Sequence, residues 1–364
     1  MRRTLFKWHS TLALIACIPL IVISVTGSIL VFKTELDTWL MPSHMQVNAG
    51  DDSQRVNLNT LIERVETAHD AFVLGSWELF DNKSRSDAAY LIHKATGEWY
   101  KLYVDQYQGT ILSDPVPVTH DVTDWLLSLH YTFLLGVAGT LLGFIFSIML
   151  LLLGVTGIVI HRQFWKKLFT LRIHAAKRVL YSDIHKLIGI FSSPVLLLLA
   201  FTGGYWNASE VVHDVIEHGG EHRYVDRAIY HPSLDFDKLV NGTADIIKGH
   251  RPTYLTFPYD EEAQINVFGD VPGKPYLSSE YSSVVTYDRS SGAVLSVIDV
   301  REAGGWPVFV DMFRKLHFGY FAGLPSKIVW AVLGLSPLWL SLTGLYFYWF
   351  RKTPSKRRRM QKTI

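Results

Sequence analysis

The sequence predicts a membrane α-helical protein: a four-transmembrane-helix bundle built from an internal duplication, with two α+β modules outside the membrane. Three observations predict it. Four long stretches, Ser10–Phe32, Leu126–Ile160, Leu187–Ser209 and Ile328–Phe350, lack Lys, Arg, Asp and Glu. Basic residues gather in three segments that lie on the same side of a four-helix path. The second half of the chain repeats the residue spacing of the first.

A hydrocarbon core about 30 Å thick needs roughly 20 helical residues to cross it. All four stretches are long enough, and none carries the polar stripe of a helix half-buried in a soluble core. The composition agrees, with 49% hydrophobic and 19% charged residues among 364 and a positive mean hydropathy. Arg2, Arg3 and Lys7 precede the first stretch. The loop between the second and third holds Arg162, Lys166, Lys167, Arg172, Lys177 and Arg178. Residues 351–364 are basic throughout and carry no acidic residue. Basic flanks mark the inner face, so both termini are expected in the cytoplasm and the two long segments outside. The expected order is a first helix at 1–32, a module at 33–125, a second helix at 126–161 and a basic loop at 162–184. A third helix at 185–209, a second module at 210–327, a fourth helix at 328–350 and a basic tail at 351–364 follow. The opening MRRTLFKW resembles a twin-arginine export signal, but the apolar run exceeds a signal core and no small-x-small cleavage site ends it, which favours an uncleaved first helix.

The duplication is read from spacing. His9 is followed by Thr26-Gly27 at +17 and +18, and His185 by Thr202-Gly203 at the same offsets. His130 leads to Thr156-Gly157 at +26 and +27, and His317 to Thr343-Gly344 likewise. LHYTFLLG at 129–136 and LHFGYFAG at 316–323 are the matched entries to the second and fourth helices. Outside the membrane, LYVDQYQGTIL at 102–112 and VTYDRSSGAVL at 285–295 alternate polar and apolar residues around a Gly-containing turn, a hairpin pattern. LNTLIERVETA and LDFDKLVNGTADII precede them with helical periodicity.

His9 and His185 therefore fall at one membrane face and His130 and His317 at the other. Two imidazoles under-coordinate a bare metal ion. Haem resolves this, because its macrocycle supplies four equatorial nitrogens and the protein the axial ligands. The expectation is two haem b groups, one per histidine pair. The single cysteine, Cys17, excludes covalent attachment through C-x-x-C-H, an iron–sulfur cluster and an internal disulfide. Gly27, Gly157, Gly203 and Gly344 are expected to clear space for the macrocycles. Arg314 and Lys315 on one side, and Lys7, Arg162 and Lys186 on the other, are placed to meet propionates. His161, four residues after Gly157 and matched in the repeat by Tyr348, either replaces an inner ligand or lines that site. His120, His174, His213, His218, His222, His231 and His250 read as solvated loop histidines, although HDVIEHGGEH at 213–222 has a chelating composition. No Gly-x-Gly-x-x-Gly and no P-loop occurs, so no nucleotide site is recognisable, and nucleic acid is not an expected partner.

These histidine and Thr-Gly positions, the closing LTGLYFYWFRK, and the outer VDQYQGTIL and TYDRSSGAVL strings resemble the PepSY-associated transmembrane proteins, including their FoxB-like ferric-siderophore reductase members, over nearly the whole chain. The resemblance implies PepSY-like outer modules and haem ligands at His9, His130, His185 and His317. It also implies an inner-membrane oxidoreductase, held among membrane lipid, that passes electrons to a periplasmic ferric siderophore. His161 departs from the family, where an aromatic is usual. The electron donor is not encoded; quinol, reduced flavin and a flavoprotein are the candidates. The rival reading is a membrane-anchored PepSY protein that binds or regulates a protease and has no redox role.

Overall fold

The computed structural model describes residues 2–161, 171–213, 226–260 and 262–352. The first apolar stretch is two helices, α1 (Arg2–Ile15) and α2 (Cys17–Leu30), meeting at a 64° bend. One straight helix was expected. Pro19 accounts for the break: it has no N–H for the Ile15 carbonyl, and its ring presses on that group. Next come α3 (Lys33–Leu40), α4 (Pro42–Met45) and α5 (Leu58–Ala68), the last capped by Asn57, whose side chain accepts from Asn59 N–H. Strands β1 (Phe72–Glu78), β2 (Asp87–His93) and β3 (Trp99–Asp105) follow, with two-residue β4 (Thr110–Ile111) and β5 (Val116–Pro117).

The second stretch is also broken. A short α6 (Val122–Thr132) ends before α7 (Gly136–Ile160), because Phe133, Leu134 and Gly136 take positive φ values of 51°, 61° and 56°. The third stretch lies in α8 (Lys177–Val211). Beyond it come α9 (Phe236–Ile246), β6 (Arg251–Thr256), β7 (Ile265–Asp270), β8 (Ser283–Tyr287) and β9 (Val294–Ile298). The chain closes with α10 (Gly305–Phe318), α11 (Leu324–Gly334) and α12 (Ser336–Lys352). Gly319 and Gly323, at φ 72° and 64°, break α10 from α11 as the earlier turn breaks α6 from α7. The octapeptides at 129–136 and 316–323 thus form the ends of short helices and the turns after them, rather than the first turns of membrane spans.

These elements form two compact units. The helical unit comprises Met1–Phe32, Leu126–His213 and Leu316–Ile364. Gly136–Ile160, Lys177–Val211 and Leu324–Phe350 are long and apolar enough to cross a membrane, and the bent α1–α2 pair makes a fourth candidate. Their burial is inverted relative to a soluble bundle. On α7, Gly139, Thr140 and Gly143 are buried, while Leu141, Ile145, Ile148, Leu152, Val155 and Val159 form one exposed stripe. On α8, Ser192, Ser193 and Thr202 are buried and Phe191 and Phe201 exposed. Small and hydroxyl residues inside with large apolar residues outside is the packing of helices in lipid. The chain is a multi-pass membrane protein.

The sheet unit comprises Lys33–Trp125 and Asp214–Lys315. Two modules were expected here; the two segments instead build one nine-stranded antiparallel sheet. Its order is β4-β3-β2-β1-β6-β7-β8-β9, with β5 also on β3. The join is β1 to β6, where Trp77 pairs with Leu255 and Glu78 with Tyr254. Apolar residues of both segments share one core, in which Leu61, Leu74, Trp77, Leu102, Leu255, Phe257 and Val267 are fully buried. Both anticipated hairpins form, β3–β4 and β8–β9, with Gly109 and Gly292 left-handed at φ 70° and 71°. An ionic cluster holds the first turn of α6: Lys33 Nζ lies 2.8 Å from Asp124 and 2.6 Å from Asp37, and Lys101 Nζ lies 2.6 Å from Asp121 and also meets Asp124.

Candidate functional site

The sequence places a histidine on α1, α6, α8 and α10. The structure gives each the same partner, the threonine of a Thr-Gly pair on another helix. His9 Nδ1 lies 2.8 Å from Thr156 Oγ1, and His185 Nδ1 lies 2.6 Å from Thr343 Oγ1. His130 Nδ1 lies 3.0 Å from Thr26 Oγ1, and His317 Nδ1 lies 2.7 Å from Thr202 Oγ1. The bonds are reciprocal. The first membrane segment gives His9 to α7 and receives His130 at Thr26; α8 gives His185 to α12 and receives His317 at Thr202.

Proton positions follow from the other half of each contact. Every one of these threonines lies close to the carbonyl four residues back: Thr156 to Leu152, Thr343 to Trp339, Thr26 to Val22 and Thr202 to Leu198, at 2.6–2.9 Å. A hydroxyl has one hydrogen. With that hydrogen donated to the backbone, Thr Oγ1 accepts, and the imidazole Nδ1–H donates. His130 makes this explicit, since its Nδ1 is also 3.1 Å from Ile23 O, which can only accept. Each ring is then the Nδ1–H tautomer with the Nε2 lone pair available. A hydrogen bond of this kind in a membrane is worth about 1 kcal/mol. Its larger effect is to fix tautomer and ring orientation, as metal-ligating histidines require.

The glycines beside those threonines do different things. A Cβ at Gly27 falls 2.6 Å from His130 Cε1, and one at Gly203 falls 3.0 Å from His317 Cε1. At Gly157 it is 3.6 Å from His9 Cε1, and at Gly344 nothing lies within 4 Å. The expectation was clearance for a macrocycle. Gly27 and Gly203 first clear the imidazole itself, because the Thr–His bond draws the ring against the helix. Gly344 is open space.

The two pairs differ in setting. His130 and His317 have ring centres 6.5 Å apart, inclined 68°, with the Trp206 ring 5.1 Å from His317. Two metal–imidazole bonds of about 2 Å to one iron would space ring centres by roughly 6 Å, close to the separation of this pair. His9 and His185 line one cavity of about 1130 Å³ within the helical unit, somewhat above the roughly 300–1,000 Å³ of ordinary ligand cavities. Gly157, Gly344, His161, Lys7 and Lys186 line it too, together with Arg2, Arg3, Arg172 and Arg178. Its apolar walls and basic residues suit a flat apolar ring with acidic substituents.

Other expectations fare variously. His161 ends α7, its backbone N–H bonding to Gly157 O, and borders the cavity. Arg314 and Lys315 are engaged in the sheet unit: Arg314 Nε is 3.3 Å from Glu280 and its guanidinium lies over Tyr281, while Lys315 Nζ donates to Tyr276 O. Arg162 and His218, His222 and the rest of HDVIEHGGEH after His213 lie outside the described residues. His250 is not a solvated loop residue. It is 3% exposed and bonded to Thr243 Oγ1 at 2.9 Å, and burial lowers its pKa. Among the described residues, no three His, Cys, Asp or Glu side chains come together as a bare-metal site. Sequence reasoning used the threonines only as markers of the repeat and gave them no role at the site. The signal that singles them out was present: a hydroxyl preceding each glycine at the depth of a histidine.

Fold and site together define a multi-pass membrane protein with paired histidines in its helical unit and a separate antiparallel sheet unit. The chain belongs to the family of the PepSY-associated TM region, whose model matches residues 6–352. An uncharacterised protein of Pseudomonas aeruginosa is 25% identical over 261 residues, covering 65% of this chain and 66% of the relative.

Proposed function

We propose that this chain is a b-type haem protein of the bacterial inner membrane that carries electrons from a cytoplasmic-side donor to a periplasmic ferric siderophore. One observation carries the reading: four half-buried histidines held by threonine as the Nδ1–H tautomer, in two pairs, one with the ring spacing of an axial ligand set. His130 and His317 would hold one haem, and His9 and His185 the other. The matched His–Thr offsets support an internal duplication. The basic segments support cytoplasmic termini and a periplasmic sheet unit.

Haem bound there supplies one-electron chemistry at iron. The chain's own part is to hold it. The Nδ1–H to Thr bonds keep each Nε2 aimed and raise its basicity. Gly27 and Gly203 let the rings seat against α2 and α8. Arg2, Arg3, Lys7 and Lys186 offer cations to anionic groups at the cavity. An electron moving outward against an inside-negative potential gains about 2.3 kcal/mol per 100 mV. Fe(II), softer and less charged than Fe(III), is held less tightly by hard oxygen chelators, so reduction releases iron without destroying the chelator. Quinol, reduced flavin and a flavoprotein remain the donor classes.

The test is a reduced-minus-oxidised visible spectrum of purified protein from haem-replete cells, with two haems per chain expected. A folded, colourless protein would sink this reading and leave the protein-binding anchor. Reporter fusions at Gly97 and Gly269 should report periplasm, and one at Ala175 cytoplasm; the opposite pattern reverses the direction of transfer.

A further inference from the structure

The rings of His130 and His317 are held by unequal means. The Nδ1–H of His130 has two acceptors, Thr26 Oγ1 at 3.0 Å and Ile23 O at 3.1 Å. Two acceptors on one N–H, with the Gly27 backbone close against Cε1, leave that ring little freedom to turn. Among the described residues, His317 Nδ1 has one acceptor, Thr202 Oγ1 at 2.7 Å. A single hydrogen bond fixes the direction of Nδ1 and leaves the ring free to rock about that line. What stands against rocking is aromatic. The Trp206 ring lies 5.1 Å from that of His317, inclined 64°, and the Phe318 ring lies 5.8 Å from it, inclined 87°. Trp206 in turn stacks on Phe318, 5.7 Å apart and inclined 28°. Edge-on aromatic contacts of this spacing are attractive and directional. The His317 ring thus sits in a corner made by two larger rings, one on α8 and one on its own helix. The matched stretch lacks that corner. Trp206 follows Gly203 by three residues, and Leu30 follows Gly27 by three. Both stretches share Thr-Gly; one then continues to a flat ring and the other to a branched alkyl group.

We propose that Trp206 is a positioning residue, which holds the His317 imidazole crosswise to that of His130, at the 68° inclination found between them. The proposal deepens the haem reading of this pair and rests on it. Residues around a ligating histidine set its ring orientation and thereby tune the metal. An axial imidazole donates π density to the iron orbital perpendicular to its own plane. Two parallel rings feed one orbital, whereas two crossed rings feed two orbitals almost equally. Low-spin ferric iron between crossed imidazoles then gives a strongly anisotropic electron paramagnetic resonance signal, and its midpoint potential differs from that of iron between parallel ones. Trp206 acts here through His317 and needs no contact with the haem. Its place beside one histidine of the pair makes the two axial ligands inequivalent, although their threonines match.

The experiment uses the full-length, haem-loaded protein, read by electron paramagnetic resonance of the ferric state and by redox titration. The parent should show a strongly anisotropic low-spin signal, and His317→Ala should abolish it, which assigns it to this pair. Trp206→Leu, which copies the residue at the matched position, should keep the haem content of the parent. It should replace the anisotropic signal by an ordinary rhombic one, and shift one midpoint potential while leaving the other. Trp206→Phe, which retains a flat ring, should keep the parent's signal. If Trp206→Leu does not fold, Trp206→Met also removes the flat ring and is read the same way. A coloured parent without the anisotropic signal, a signal that survives His317→Ala or Trp206→Leu, a Phe variant that loses it, or loss of haem in place of a change in signal would each overturn the proposal and leave the haem reading standing. A folded, colourless parent would overturn both.

Discussion

The His130–His317 pair and the His9–His185 pair use the same four-atom device in opposite surroundings. In the first, a side chain at Gly27 or Gly203 would strike the imidazole, and the two rings already stand 6.5 Å apart. In the second, a side chain at Gly344 meets nothing, and the histidines border a wide cavity with basic residues along its wall. Identical hydrogen bonds therefore do not make identical sites. Threonine fixes the ligand atom, whereas the glycine beside it decides how much room the ring and its surroundings have. On the proposed function, the tight pair suits a relay with one geometry, and the roomy pair suits a site that must also meet a donor.

That contrast can be broken by removing ligands. His317→Ala should take the haem content from two to one and abolish reduction of an external ferric chelate, and His185→Ala should leave one haem that dithionite reduces and the physiological donor does not. Haem content, read beside a measure of membrane-inserted folded protein, is the check. Two haems remaining in His317→Ala would show that the pairing is wrong.

A gentler test adds one carbon. Gly27→Ala should lose at least half of the haem held by His130, because the new Cβ sits where the ring is. Gly344→Ala should be indistinguishable from the parent in spectrum and content. Equal losses would mean that the two sites are equally tight. Smaller again, Thr26→Val or Thr343→Val keeps the shape and removes the acceptor. Each should weaken retention at its own site by roughly 10-fold, the low end of what a lost outer partner costs a metal site, and shift that haem's midpoint potential. A shift in the other haem instead would reassign the threonines. The smallest effect is expected for His161→Ala, which should keep both haems; loss of the haem at the cavity would make His161 a ligand and either His9 or His185 a bystander.

Much of this was legible in the chain. Four charge-free stretches gave the spans, matched offsets picked out the histidines and the Thr-Gly pairs, and Gly109 and Gly292 marked the hairpins. The breaks were harder. Pro19 was a visible cause of the α1–α2 bend, but Phe133 and Leu134 carry no sign of left-handed backbone, since both are ordinary apolar residues. Gly136 and its counterpart Gly323 were the readable part of that turn. The joining of β1 to β6 was hidden for another reason. It pairs residues nearly 180 positions apart, and local periodicity carries no information about which edges meet. The role of the threonines was not legible because a hydroxyl bonded to its own helix looks the same in sequence whether or not it also accepts from a neighbour.

The single sheet has a consequence for how the protein is made. Trp77, Leu74 and Leu102 are synthesised long before Leu255, Phe257 and Val267, which complete their core. Between the two lie both of the longest membrane helices, α7 and α8. On the proposed topology, the first segment waits with β1 unpaired, exposing an apolar edge until the ribosome has delivered two more crossings and the second segment has been exported. Contacts so distant in the chain form slowly, and an open strand in that interval is a site for misassembly. On that topology, export of the second segment, not the first, is the step that commits the sheet unit to its folded state, and a ribosome stalled after α8 should leave a protein inserted in the membrane yet sensitive, between Lys33 and Trp125, to proteases on the side that the sheet unit occupies.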